Sequence, residues 1–347
     1  MPDPTSDRLD SLAYTLARYG ERTPRLAFPG GPPEAVAAWR SQARAKLVEL
    51  LGGFPAATVP LDTVLGEPIK RTGYTRRTVV FATRPGMAAF AHLLVPDKLD
   101  GRASAVVCIP GHGPGADDLV GLDAEGKDRP YKDGYQHDYA LQCVERGHVV
   151  LALEPLGFGH RRDPAARESG PSTSSCQPAA GAALMLGETL LGWRVWDSLR
   201  AIDFLATLPE VDPSRVAMMG ISGGGTVTLH AAALDDRVKV AVLSCSFCTF
   251  RDSIYSVAHC IDNYVPGILR WFEAADLAAL IAPRHLFAEA GLDDAIFPVG
   301  GVRKALRDAG RAFASQDASA HIDHHVFDGG HVFDGSKALP RMKEWLG

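Results

Sequence analysis

The stretch from Met218 to His230 reads MMGISGGGTVTLH and places one serine among four glycines. The apolar run RVAMM precedes the glycine-rich segment around this serine, and TVTLHAAAL, which can be helical, follows that segment. Gly220, Ser222 and Gly224 form the pattern G-x-S-x-G, which marks a nucleophile when it lies between a strand and a helix. We therefore predict that Ser222 lies on a strained turn. The chain approaches itself closely there, so Gly220 and Gly224 must be small.

Short apolar runs alternate with helical patterns on both sides of this turn. ASAVVCIPG, HVVLALEP, RVAMMG, VKVAVLSCSF and HLFAEAG are nearly continuous apolar runs, which is typical of strands buried on both faces of a parallel sheet. RRTVVFAT and AAFAHLLVP flank a turn at Arg84–Gly86 and predict an antiparallel pair. The sequence thus predicts an α/β fold with a mostly parallel central sheet flanked by helices.

The chain divides into two predicted regions. Residues 1–70 carry two helical patterns and predict an N-terminal helical extension that packs on the main domain and covers core surface, and residues 71–347 are expected to form the catalytic domain. Residues 155–182 are rich in Gly, Pro, Ser and Arg and predict a long loop inserted in that domain. Loops of this length are often functional. An insertion without a role is the alternative.

Composition excludes several classes of protein. The 347 residues are 46% hydrophobic and 22% charged, with a formal net charge of -5, an ordinary globular balance. Proteins that bind nucleic acids usually have an excess of basic residues, so we expect no nucleic-acid partner. The polar N-terminus lacks the pattern of a signal peptide, and no apolar run reaches the roughly 18 to 20 residues that span a bilayer. We expect a cytoplasmic protein with no membrane partner.

Six cysteines are scattered through mostly apolar segments, which is typical of reduced, buried thiols. Cys245 and Cys248 form a CxxC, for which a metal or redox role is the alternative. A metal site needs a second ligand pair at a suitable spacing, and none is obvious. We therefore predict neither a metal nor a cofactor.

A serine nucleophile needs a base and an acid, which follow it in this type of fold in the order acid, then histidine. AEAGLDDAIFP offers Asp293 and Asp294 after a strand-like run. FDGGHVFDG places His331 in a glycine-flanked loop, better situated than the histidines of the preceding run HIDHHVF. At the helix start, the N–H of Gly223 can stabilise a developing oxyanion. The second donor should come from the loop after an early strand, and CIPGHGPG fits.

GISGGG, GLDDAIFP and GGHVF together give a family resemblance. Over roughly residues 70–347 the chain resembles α/β-hydrolases of the dienelactone-hydrolase-like and acetyl-xylan-esterase-like groups. The resemblance implies an acid four residues before Pro298, hence Asp294, with Asp293 as the fallback. It also implies that His112 donates its backbone N–H to the oxyanion. Dienelactone hydrolases proper use a cysteine nucleophile, so serine favours ordinary ester hydrolysis.

The expected function is a serine hydrolase of carboxylic esters that works through an acyl-enzyme, either on small acyl esters generally or as a deacetylase. A lactonase, thioesterase or peptidase with the same triad is an alternative, as is a non-catalytic binding protein with this fold. Pocket residues are expected from Phe247 to Arg251, from the stretch HCIDNYVPG and from the 155–182 loop. Phe247, Tyr264 and Trp271 are candidates for an acyl or alcohol pocket, or else core aromatics. The partner is a small-molecule ester; acyl length, leaving group and oligomeric state stay open.

Overall fold

The computed structural model describes residues 9–129, 134–171 and 173–347. Within these residues, ten strands form one sheet in the order β1-β3-β4-β6-β5-β7-β8-β9-β10, with β2 paired to β3. The strands are β1 Val64–Leu65, β2 Ile69–Arg71, β3 Tyr74–Arg84, β4 Met87–Pro96, β5 Ala103–Ile109, β6 Val149–Leu153, β7 Val211–Ile221, β8 Val238–Ser244, β9 His285–Gly291 and β10 Ile322–Phe327. The strands β6, β5, β7, β8, β9 and β10 are parallel to their neighbours in this order. The pairs β1–β3, β2–β3, β3–β4 and β4–β6 are antiparallel. The predicted mostly parallel sheet is confirmed.

Helices cover both faces of this sheet. They are α1 Ser11–Gly20, α2 Pro33–Leu50, α3 Ala116–Leu119, α4 Tyr139–Val144, α5 Pro164–Glu168, α6 Cys176–Met185, α7 Leu190–Ala206, α8 Gly223–Leu234, α9 Ala274–Ile281, α10 Val299–Ala314 and α11 Ala338–Leu346. Short 3₁₀ and π turns lie between them, including Gly159–Arg161 and Ile261–Asn263. In the described part of the chain, no helix has both the length and the apolar character needed to cross a bilayer.

Alternate side chains of the central strands build two hydrophobic layers. On β5, Val107 and Ile109 join the layer covered by α2, α7, α8, α9 and α10, whereas Val106 and Cys108 join the layer covered by α4 and α11. All four side chains are at most 1% exposed. Burial on both faces explains why these strands are continuous apolar runs in the sequence.

The N-terminal region packs on the central sheet through α2, β1 and β2. Trp39, Ala43 and Leu47 of α2 are buried in the same hydrophobic layer as the central strands. Strands β1 and β2, which fall within or across the predicted 1–70 boundary, pair with β3. The sequence did not reveal these strands because they are two and three residues long and mostly exposed.

The segment 155–182 is only partly a loop. Helix α5 begins within it at Pro164, where the Asp163 side chain accepts a hydrogen bond from the Ala166 N–H at 2.8 Å. Helix α6 begins at Cys176. A capping aspartate followed by proline is a sequence signal for a helix start. The high content of Gly, Pro and Ser led to the prediction of a loop, because composition alone does not register this helix start.

Candidate active site

The predicted site residues follow four parallel strands. His112 comes after β5, Ser222 directly after β7, Asp294 after β9 and His331 after β10. The carboxyl ends of parallel strands meet at one edge of a sheet, where ligands bind in open α/β folds. The four positions therefore share one edge of the molecule.

Ser222 has the backbone conformation expected of a strained turn. Its φ is 55° and its ψ is -123°, and it directly precedes the first residue of α8. A non-glycine residue with positive φ costs of order 1–3 kcal/mol and persists only where the surroundings enforce it. The residue is 7% exposed, and its hydroxyl makes no hydrogen bond with a protein group in the described part of the chain. A free hydroxyl can rotate toward an incoming base or substrate.

The glycines around Ser222 are required by close backbone contacts. A Cβ on Gly224 would lie 1.9 Å from the carbonyl oxygen of Ile109, and a Cβ on Gly220 would lie 2.3 Å from the carbonyl carbon of Gly224. Both contacts are with backbone atoms of β5 and α8, and displacing these atoms would disrupt the central sheet or the helix. The turn at Ser222 is therefore compressed between β5, β7 and α8.

Asp294 and His331 form a direct pair. Oδ2 of Asp294 lies 2.8 Å from Nδ1 of His331, and Oδ1 accepts the N–H groups of Ile296 and Phe297 at 2.8 and 3.0 Å. Burial alone would raise the pKa of Asp294, but the hydrogen bond and charge of His331 and the two amides outweigh it, so the pKa falls. The neighbouring Asp293 is exposed. Of the two adjacent aspartates, the structure brings Asp294 to the histidine.

Two aromatic rings enclose the imidazole of His331. Tyr135 stacks on it at a centroid distance of 5.6 Å, and Phe297 stacks on it at 5.9 Å. With Nδ1 held by Asp294, this packing fixes the plane of the ring and leaves Nε2 as the nitrogen that can exchange a proton.

Tyr135 also connects His331 with the nucleophile turn. Its hydroxyl donates to the carbonyl oxygen of His112 at 2.7 Å. A Cβ on the adjacent Gly111 would lie 2.2 Å from that hydroxyl and 3.1 Å from the Cβ of Ser222. Tyr135 thus contacts His331 with its ring, and its hydroxyl lies close to the turn at Ser222.

The loop after β5 presents a free amide. The Gly111 N–H donates to Oε1 of Gln136 at 2.9 Å, and Nε2 of Gln136 donates to Asp118 at 2.6 Å. These bonds hold the loop in place. In the residues that the structure describes, the amides of His112 and Gly223 donate to no protein acceptor. Two unpaired donors next to Ser222 are the arrangement that an oxyanion hole requires.

The side chain of His112 belongs to a buried charged cluster. Its Nε2 lies 3.1 Å from Oδ2 of Asp262, an ion-pair distance, although the angle falls short of a hydrogen bond. Asp262 is 1% exposed and also pairs with the buried guanidinium of Arg194. Burial lowers the pKa of His112, but Asp262 and Cys176 outweigh it and raise the pKa to about 9. His112 is therefore a cation at neutral pH.

Cys176 and Cys260 complete this cluster. Nη2 of Arg194 donates to the Sγ of Cys176 at 3.1 Å, and Sγ of Cys176 lies 3.4 Å from Oδ2 of Asp262. A hydrogen bond with Cys260, together with His112 and Arg194, lowers the pKa of the Cys176 thiol. All six cysteines are free, and all except Cys260 are buried, as the sequence pattern predicts.

Among the residues that the structure describes, three groups of side chains have metal-ligand chemistry. One is the set His112, Cys176, Cys260 and Asp262, but Arg194 already provides a cation there and would repel a second. Another contains Cys245, Asp294 and His331, the last two of which are paired with each other. The third contains His92, Asp117 and His160, in which the carboxylate bonds both imidazoles at 2.7 and 3.0 Å.

The three aromatic pocket candidates have different surroundings. Phe247 is 1% exposed within the main hydrophobic layer. Trp271 packs against the same layer, and the ammonium of Lys46 lies 4.3 Å from its ring centroid. These placements match the alternative of core aromatics. Tyr264 is 41% exposed and lines a mostly apolar cleft of about 210 Å³ together with Asn263.

Other residues at this site had no individual role assigned from the sequence. Asn263 lies beside the nucleophile turn, since its Oδ1 is 3.8 Å from the position that a Cβ on Gly223 would occupy. Asn263 and Asp262 belong to the stretch HCIDNYVPG, which we expected to supply pocket residues without singling out either one. Tyr135 and Arg194 were missed, and neither belongs to a motif.

The fold and the site define an α/β-hydrolase with a serine elbow, an Asp–His pair and free amides at one sheet edge. A family model described as "Abhydrolase family" matches residues 20–325, and the chain belongs to this family.

Individual relatives agree with this assignment. The chain is 29% identical over 284 residues to a Bacillus subtilis protein named "Putative hydrolase YtaP", covering 81% of this chain and 90% of that protein. Among solved structures, one described as a putative acetyl xylan esterase from Bacteroides fragilis superposes with a TM-score of 0.78 at 20% identity, over 94% of this chain and 84% of that one. A glucuronoyl esterase from Solibacter usitatus gives 0.68 at 16% identity, over 94% and 98%. The structural likenesses establish the shared fold.

Proposed function

We propose that the protein is a serine hydrolase of carboxylic esters, with Ser222 as nucleophile, His331 as base and Asp294 as the acid that orients the base. The observation that carries this proposal is the Asp294–His331 pair at 2.8 Å, at the same sheet edge as a serine with φ of 55° and two unpaired amides. Acyl transfer through a serine requires a strained nucleophile turn, an oriented base and free donors together, and these features support the proposal.

In the proposed mechanism, Ser222 Oγ attacks the ester carbonyl while Nε2 of His331 takes its proton. Asp294 holds the imidazole in the required tautomer and stabilises the imidazolium. The amides of His112 and Gly223 stabilise the negative oxygen of the tetrahedral intermediate. The protonated His331 then returns its proton to the leaving alcohol, and water releases the acyl group by the same path.

The proposed substrate class follows from the cleft beside Asn263 and from the likeness to known esterases. The cleft bordered by Tyr264 and Asn263 is lined mainly by apolar side chains, which suits a short acyl or alkyl group. Acetyl xylan and glucuronoyl esterases share the fold. A small acyl ester, including an acetylated carbohydrate, is the class we propose.

The test is hydrolysis of p-nitrophenyl esters from acetate to octanoate by wild type, Ser222→Ala and the control Ser319→Ala, whose serine is exposed. We expect wild type and the control to be active and Ser222→Ala to be inactive, with the chain-length profile reporting the size of the acyl cleft. Activity retained by folded Ser222→Ala would overturn the proposal.

A fluorophosphonate probe separates the enzyme from a non-catalytic binding protein. The probe bonds covalently to an activated serine, so wild type should be labelled and Ser222→Ala should not. An unlabelled wild type that also hydrolyses no oxygen ester, lactone or thioester would indicate a binding protein. If the protein hydrolyses only lactones or only thioesters, it is a lactonase or a thioesterase that uses the same residues.

A further inference from the structure

We propose that the imidazolium of His112 is itself a catalytic group, which donates its Nδ1–H to the substrate oxygen that becomes negative during acyl transfer. This inference rests on the proposed function and adds a charged side-chain donor to the two backbone amides. It assigns to the side chain of His112 a role separate from that of its main chain.

The position of the ring is the first support. Nδ1 and Cε1 of His112 each lie 3.3 Å from where a Cβ of Gly223 would stand. Gly223 is the residue after the nucleophile, and its amide is one of the proposed oxyanion donors. This edge of the imidazole therefore borders the space in which the substrate oxygen would lie.

The hydrogen bonding of the ring is the second support. Nε2 is buried and lies 3.1 Å from Oδ2 of Asp262, whereas Nδ1 is on the edge of the ring that faces Gly223. Phe158 packs edge-on against the ring with its centroid 4.8 Å away and restricts rotation. One nitrogen thus lies at ion-pair distance from a buried carboxylate, and the other lies beside Gly223 at the proposed site.

The charge of the ring is maintained by buried neighbours. Asp262 is 1% exposed and Arg194 is 3% exposed, and their side chains pair directly. Arg194 also donates to the carbonyl oxygen of Leu156 at 2.9 Å, which fixes the guanidinium against the loop after β6. With Asp262 held ionised, a proton on His112 is favoured. The titratable and charged groups that face His112 are Asp262, Cys176, Cys260, Arg194 and His259.

The chemistry follows from this arrangement. As Oγ of Ser222 bonds to the carbonyl carbon, its proton passes to His331 and the carbonyl π electrons move onto oxygen. His112 keeps its proton and strengthens its hydrogen bond to that oxygen as the charge develops. A positive donor fixed in place before the reaction stabilises this charge more than the neutral ester.

The experiment compares wild type, His112→Gln and the control His324→Gln, an exposed histidine on β10, with p-nitrophenyl acetate from pH 6 to 10.5. His112→Gln keeps the backbone amide but removes the cation. We expect its kcat to fall by about 10²- to 10³-fold with little change in KM, as for other lost oxyanion donors. In wild type, kcat should decline as pH rises through about 9, where His112 loses its proton. This alkaline decline should be absent in His112→Gln.

Asp262→Asn provides the second variant. Loss of the carboxylate should shift the alkaline decline of kcat to lower pH. Unchanged kcat in folded His112→Gln, or a change confined to KM, would overturn the inference, since the latter indicates substrate binding alone. If His112→Gln does not fold, the ¹⁵N shifts of His112 in wild type decide: a neutral ring at pH 7 would overturn the inference. If Ser222→Ala remains active, the proposed function fails instead.

Discussion

At the residue scale, Gly224 shows how little freedom the nucleophile turn has. Gly224→Ala would bring a Cβ within 1.9 Å of the Ile109 carbonyl oxygen. We expect it to destabilise the protein by about 4 kcal/mol or more, in the exceptional range for one substitution, and to abolish labelling of Ser222. The measurement is urea unfolding followed by circular dichroism.

Gly310→Ala is the matched control for this change. Gly310 lies in helix α10, where an added Cβ meets nothing within 4 Å. Alanine should stabilise the helix by roughly 0.5–1 kcal/mol. If both variants unfold at the same urea concentration, the contact between β5 and α8 does not restrict the turn.

The adjacent aspartates offer a second residue-scale prediction. Asp294→Asn keeps the shape of the side chain but removes the charge that orients His331, and we expect kcat to fall by about 10⁴-fold. Asp293→Asn alters an exposed side chain and should leave kcat within twofold or so of wild type. Steady-state kinetics with one p-nitrophenyl ester measures both. A larger loss in Asp293→Asn would reverse the assignment of the acid.

Sequence reasoning identified residues that carry a local signature. Ser222 is flanked by glycines, and His331 follows two glycines after a strand. Tyr135 and Asp262 act through partners 23 or more residues away, such as the His112 carbonyl and the His112 imidazole. No spacing along the chain encodes such contacts, because they arise only when separate loops meet at the sheet edge.

At the element scale, Asp117 at the start of α3 joins β4 to the loop after β6. Its carboxylate bonds His92 at 2.7 Å and His160 at 3.0 Å. The hydrogen bond with Asp117 raises the pKa of His160 above its ordinary 6.5, whereas burial lowers the pKa of His92. Burial opposes ionisation of Asp117, but the two imidazoles outweigh it and lower the pKa. Of the two imidazoles, His160 is therefore the one whose charged form Asp117 favours.

This link predicts a pH dependence of stability. A raised pKa in the folded state means that the contribution of His160 is complete below pH 6.5 and is lost as pH rises through the folded value. The contribution of Asp117 is present above its ordinary 3.8 and is lost in acid. Between pH 6 and 8.5, wild type should lose more unfolding free energy than His160→Gln, by no more than about 1 kcal/mol because His160 is half-exposed.

Urea unfolding at pH 6 and 8.5 measures this difference, with His324→Gln as the control for loss of an exposed histidine. Equal changes with pH in wild type and His160→Gln would show that Asp117 does not couple these elements. The contact of Asp117 with His92 and His160 could not be predicted from the sequence. The composition of the segment 155–182 predicted a loop, and a loop prediction does not locate His160 relative to β4.

At the scale of the whole molecule, the parallel core of the sheet could be expected from the sequence, whereas the order of its strands could not. Continuous apolar runs indicate burial on two faces and therefore a parallel core. The helical period of α2 predicts a helix that packs on the main domain, but it does not indicate which elements the helix contacts. In the structure Leu47 is 0% exposed in the main hydrophobic layer, and α2 packs on α9. The family model likewise begins at residue 20 rather than near 71.

These contacts predict that α2 and the catalytic domain unfold as one unit. Leu47→Ala leaves a cavity in the shared layer and should cost about 2–5 kcal/mol. Leu12→Ala on α1, a helix with no buried residue, should stay within about 0.5 kcal/mol of wild type. Urea unfolding is followed by circular dichroism and by fluorophosphonate labelling of Ser222. We expect a single transition, shifted equally for both signals in Leu47→Ala. The reason is that loss of α2 would expose the hydrophobic layer that it shares with the sheet. An early transition that spares labelling would instead make residues 1–70 a separate unit.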